Sequence, residues 1–189
     1  MELTARAFWT IVHGMGFGAL YLLACSGAMV EWWRHTSSQR GGAGGAAGDT
    51  FLRVYLTSMA ALAWLAVLTG AYIIYPWYRA AAPANMSDLA GYPQRSLLSS
   101  AATAQWHTIG MEWKEHVAWL APISITMAAA VFFKYGERGI RAYPALRKAV
   151  LGFVLVSFFS AAIAGLFGAL LSKKAPVDGG ATLHFVSGN

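Results

Sequence analysis

Four long runs of apolar residues alternate along the chain with polar and glycine-rich stretches. They cover about residues 7–33, 51–78, 107–135 and 143–171. A helix rises about 1.5 Å per residue, so roughly 20 apolar residues cross the hydrocarbon of a bilayer, and every run meets that length. Each run is apolar on most of its faces rather than along one stripe, which suits a helix in lipid. A helix also satisfies its own backbone polar groups, as a lipid-exposed segment must. The pattern predicts a single all-α integral membrane domain over residues 1–189. Its expected architecture is a four-transmembrane-helix bundle, up-down, with both termini on the same side and a polar tail over 173–189.

The connections differ in character. The first, "HTSSQRGGAGGAAGD" (35–49), is rich in Gly and Ser and reads as a flexible link. The second, about residues 80–105, is long enough to be expected to carry function or to pack on a partner. The third, "GERGIRA" (136–142), reads as a short basic loop. "LLAC" at 22–25 has the look of a lipoprotein cleavage box, but the first run is expected to be a retained span rather than a removed signal. Cys25 is the single cysteine, so no internal disulfide forms, and no C-x-x-C-H is present for covalent haem attachment.

Composition sharpens the membrane reading. Of the 189 residues, 57% are hydrophobic and 12% charged, about half the charged share of soluble domains, which is roughly 25%. The formal charge of +6 is spread over positions flanking the spans, the ordinary pattern beside anionic lipid. No basic module stands apart from the spans, so no nucleic-acid partner is expected. Arg6, Arg79, Arg95, Lys114, Lys173 and Lys174 fall on the side of the termini, and the other eight Lys and Arg on the opposite side. Eight against six favours the second side as cytoplasmic. In a bacterial inner membrane the termini would then be periplasmic.

The histidines sort to one side. His13, His107, His116 and His184 belong to the side of the termini and only His35 to the other. Measured back about 20 residues from the cytoplasmic ends of their spans, His13 and His116 lie at similar shallow depth. Spans one and three run in the same direction and face each other diagonally in an up-down bundle. One imidazole from each could therefore hold a group between them, and neutral imidazole is a good ligand for iron, copper and zinc. His13 and His116 are the expected metal ligands, and haem b, one per chain, the expected cofactor. Glu112, one turn from His116, would take the other ring N–H and fix its tautomer. His107 lies nine residues before His116, about 900° of turn at roughly 100° per residue, and points the opposite way. It shares a face with Lys114, which is expected to snorkel to the headgroups.

Neighbouring residues add smaller signals. Gly14 and Gly18 flank His13; their spacing suits either helix packing or the close approach of a flat macrocycle. Arg6 and Arg79 could pair with haem propionates, although headgroup contact is the simpler reading. The Trp and Tyr residues on this side form an interfacial belt. Pro122 should bend span three. The scattered methionines read as pliable filler.

With one histidine from each of spans one and three, the chain resembles the broad class of four-helix, b-type membrane cytochromes and cytochrome-containing anchor subunits of respiratory oxidoreductases. It departs from the two-haem members, which have a histidine pair near each face, so the resemblance implies at most one haem. The expected function is electron transfer in a larger membrane complex, through a haem b near the periplasmic face. Expected partners are other complex subunits and the lipid bilayer, with a quinone or a periplasmic electron carrier as donor or acceptor. Two alternatives use the same residues differently: a cofactor-free structural or assembly subunit, and a copper-handling or metal-transport protein. No zinc-protease pattern, phosphate loop or nucleophile triad appears, so an electron-transfer subunit is expected rather than a catalyst of bond-making chemistry.

Overall fold

The computed structural model of the chain describes residues 2–37, 46–175 and 182–184. Strand β1 (Glu2–Thr4) leads into helix α1, which runs over 5–37 with a π-helical stretch at Val12–Ala19. Helix α2 runs over 46–78, with a π turn at Gly70–Ile74. A short helix α3 (Pro93–Leu98) follows the second connection. Helix α4 covers 101–142 with a π turn at Trp113–Val117. Helix α5 (Pro144–Lys174) starts after a single extended residue, Tyr143. Strand β2 (Thr182–His184) pairs antiparallel with β1, Glu2 opposite His184.

Four helical stretches are long and apolar enough to cross a membrane: Ala5–Val30, Gly48–Tyr78, Ala101–Ala142 and Pro144–Lys174. The all-α, four-span membrane architecture expected from the apolar runs is thus present. The helices pack in chain order, α1 on α2, α2 on α4 and α4 on α5, and α5 also touches α1. The main core joins Tyr21 and Cys25 of α1, Met59 and Ala63 of α2, Ile125 and Ala128 of α4, and Val150 and Val154 of α5. Lipid is as apolar as these side chains, so close packing and interhelical hydrogen bonds hold such a bundle. Small residues at the α4–α5 seam permit that closeness. A Cβ on Gly110 would sit 3.1 Å from the Phe167 ring.

Ser157 bridges three helices at this seam. Its hydroxyl donates to the Ala121 carbonyl of α4 and meets the Tyr21 hydroxyl of α1, and both Tyr21 and Ser157 are buried. Replacing Ser157 with alanine leaves the Tyr21 hydroxyl without this partner, at a cost of about 1–3 kcal/mol. The expected result is a lower thermal midpoint in detergent. Tyr21→Phe/Ser157→Ala together should recover part of the loss, since both polar partners are then gone.

Two expectations about the connections change. After a break at Gly136 (φ 62°, ψ −179°), residues 137–142 form helix rather than loop. In an unbroken helix the Glu137 N–H would bond the Phe133 carbonyl. Here Asp49 of α2 accepts the Glu137 N–H at 2.9 Å, and Arg53 Nη1 donates to Phe133 O at 3.0 Å. Arg53 Nε in turn donates to Asp49 at 2.6 Å. Side chains one turn apart on α2 thus satisfy both halves of the break. The second connection folds back on the bundle: Leu97 of α3 packs with Met111, Leu171 and Ala175 in a second core.

The helix before Pro122 is irregular, as the proline suggested. Ala118 N donates to Trp113 O in the π register, and residues 118–119 form a turn. Pro122 itself is buried.

Candidate functional site

The three π-helical stretches converge at one level of the bundle. His13 lies in the first, Gly70 opens the second and Lys114 lies in the third. A π turn inserts an extra residue into a helix, is rare and often marks functional sites.

His13 packs against α2 with Cε1 toward Gly70. A Cβ on Gly70 would lie 2.8 Å from its Cε1, so only glycine admits the ring there. Its Nδ1 is 3.2 Å from Thr69 Oγ1. The Thr69 hydroxyl already donates to Leu65 O at 2.6 Å, so it accepts from the ring. This network assigns the proton to Nδ1 and leaves the Nε2 lone pair available.

Lys114 turns inward. A Cβ on Gly168 of α5 would be 3.0 Å from its ammonium, and the ammonium lies within electrostatic reach of His13. Lys114 is partly buried, with its ammonium against α5. Lys114 makes no hydrogen bond or ion pair among the described residues. The expectation that it snorkels to the headgroups is therefore corrected: its stem lies between helices. The geometry of α4 explains the choice. Residues 114 and 116 are about 200° apart on a regular helix, so only one of them faces the core.

His116 takes the outer side. Its side chain is 69% exposed, and Nδ1 lies 3.2 Å from both the Glu112 carboxylate and the Glu112 carbonyl. Glu112 is where a tautomer-fixing partner was expected, but the pair sits on the outward face. A haem clamped between His13 and His116 needs both rings turned into one space. The described contacts turn one onto α2 and the other away from the bundle, so as they stand the two do not fit such a clamp.

The other candidates are engaged or open. A Cβ on Gly14 would meet nothing within 4 Å, and one on Gly18 only the His13 carbonyl of its own helix at 3.4 Å; neither receives a packed neighbour. Arg6 donates to Gly91 O at 3.2 Å and so ties the second connection to α1. Arg79 Nη2 reaches both oxygens of Glu115 at 3.1 Å and lies over the Tyr75 ring. Burial works against the Arg79 charge, but hydrogen bonding and charge from Glu115 outweigh it and raise the guanidinium above its usual range. His107 stacks on Tyr78, with Nδ1 2.6 Å from the tyrosine hydroxyl and Nε2 3.4 Å from Gln94 Nε2. Both of its nitrogens are occupied by this cap. The side chains of His35 and His184 lie outside the description.

The site is thus a cationic level inside the bundle, built from His13, Thr69, Gly70, Lys114 and Gly168 and bordered by the polar cap of Tyr78, Arg79, Gln94, His107 and Glu115. Of these, the sequence pattern points to His13 and Arg79. Among the described residues no group of three or more His, Cys, Asp or Glu side chains is placed to hold a metal ion. No family model matches the chain, and no curated protein or solved structure is similar enough to transfer a fold or an activity.

Proposed function

We propose that this chain is a non-catalytic subunit of a larger membrane complex, and that its working part is a binding chamber inside the bundle at the level of His13 and Lys114. The unpartnered Lys114 ammonium, set between helices beside His13, carries this reading. Ionisable groups within spans are costly to bury and mark binding or transfer sites by default. The chamber lies toward the end where β1 and β2 hold residues 2–4 and 182–184 together. The positive-inside tendency supports the reading in which the helices run up-down and this end faces the periplasm of a bacterial inner membrane.

A second reading keeps electron transfer. His13, with Nε2 unprotonated, is in the state a metal ligand needs, so a haem b held by His13 and a ligand other than His116 is the form the cytochrome reading now takes. A reduced-minus-oxidised absorption spectrum of the chain purified from its native membrane separates the two. The chamber reading expects no b-type signal, and native mass spectrometry should find a retained small molecule that His13→Ala or Lys114→Met releases. A b-type signal lost in His13→Ala but kept in His116→Ala would favour the haem. Absence of both pigment and retained molecule would leave only a structural subunit.

A further inference from the structure

We infer that the chamber takes an anionic oxygen group carried on an apolar tail, a carboxylate or a phosphate, with Lys114 as its counter-cation. The inference rests on the chamber reading and names its ligand class. An ammonium inside a bundle that spans a bilayer is unfavourable without a compensating charge. The acids on its own turn of α4 are committed elsewhere: Glu115 to Arg79 at 3.1 Å, and Glu112 to His116 at 3.2 Å on the outward face. His13 of α1 lies within electrostatic reach of the ammonium and cannot supply negative charge. Among the described residues no acid is left to pair with Lys114, and we assign that place to an anion from outside them.

The surrounding residues define how such a group is read. Gly168 provides the room in which the ammonium sits, since a Cβ there would press on Nζ at 3.0 Å. Thr69 holds the His13 ring against α2, so the Lys114 ammonium is left as the donor that an anionic, acceptor-only oxygen group pairs with. Lipid-facing side chains border this stretch of the bundle: Ile109 and Leu166 are 57% and 58% exposed. A ligand arriving through the bilayer must bring an apolar tail.

The test uses the full chain in phosphatidylcholine nanodiscs, titrated with oleate in one arm and prepared with dioleoyl-phosphatidylglycerol in the other. Binding is read by native mass spectrometry and by the rise in thermal midpoint, which a ligand of the folded state produces by mass action. Wild type should bind in at least one arm, and the arm that responds identifies carboxylate or phosphate as the source. Lys114→Met should weaken binding about tenfold or more, as expected for loss of a charge-assisted contact, while Lys114→Arg retains it. Gly168→Ala, which leaves every charge in place, should weaken it as well. Lys114→Gln guards against misfolding: with the unpaired charge gone, its thermal midpoint without ligand should be no lower than wild type, while it binds as weakly as Lys114→Met. Equal binding by wild type and Lys114→Met, or none by wild type in either arm, would overturn the inference. If the molecule retained from native membranes is neutral and colourless, the anionic assignment falls while the chamber stands; a b-type pigment lost in His13→Ala overturns both. If nothing is retained and neither arm responds, both fall.

Discussion

Replacing Gly70 with alanine should destabilise the bundle in the native chain and stabilise it once His13 is removed. Alanine is favoured over glycine in a helix by about 1 kcal/mol, so propensity alone predicts a gain at this mid-span position. The new Cβ would lie 2.8 Å from His13 Cε1, well inside van der Waals contact. The ring cannot simply swing aside, because its Nδ1 is held by Thr69 on the same turn of α2. Either α1 and α2 move apart, or the ring leaves and its hydrogen bond is lost. Overpacking of this kind typically costs about 1–3 kcal/mol, which outweighs the propensity gain. In a His13→Ala background the clash is gone and only propensity is left. Thermal midpoints of the four variants in one detergent form a double-mutant cycle, and its coupling should exceed about 1 kcal/mol. If Gly70→Ala has the same effect with and without His13, the ring does not occupy the place assigned to it.

The same residues show what could be read from the chain and what could not. Four apolar runs, each longer than a bilayer needs, made the membrane helices legible because length and hydropathy are local properties. The chemistry was only half legible. His13 stood out as an ionisable residue in a span, and Lys114 did too, but a long lysine stem can run outward to headgroups or inward between helices. Which of Lys114 and His116 faces the core depends on the phase of α4, and the π turn at Trp113–Val117 shifts that phase through tertiary packing. Signals were present in Gly70 and Gly168, glycines within apolar runs. Their meaning needed the neighbouring helix. The third connection was misread for a related reason. Two glycines and three charges in seven residues look like a loop, and nothing nearby in sequence reveals that Asp49 and Arg53, more than 80 residues away, complete the helix.

That distant completion should make Asp49 one of the least replaceable polar residues in the chain. The Gly136 break separates a donor and an acceptor that a regular helix would join, and Asp49 serves the Glu137 N–H as a cap supplied from another helix. It also neutralises Arg53, whose other nitrogen serves the Phe133 carbonyl. Asp49→Ala therefore strands an N–H and leaves a guanidinium without its carboxylate. Each lost partner is worth about 1–3 kcal/mol when buried, but the Arg53 and Asp49 side chains are 31% and 30% exposed, so water replaces part of both. A total loss of about 2–3 kcal/mol is expected. Asp49→Asn keeps an acceptor for Glu137 and gives up the charge, so it should fall between alanine and wild type. Gly136→Val attacks the break from the other side: φ 62° with ψ −179° is a backbone region essentially restricted to glycine, unfavourable for a side chain by about 1–3 kcal/mol, and a Cβ would stand 3.1 Å from Asp49 Oδ1. Because the two substitutions share one contact, their effects should be less than additive. Hydrogen exchange gives the specific readout: the Glu137 amide should lose protection in Asp49→Ala while amides in the middle of α4 keep theirs. If that amide stays as protected as in wild type, Asp49 is not its partner and the capping account of the break is wrong.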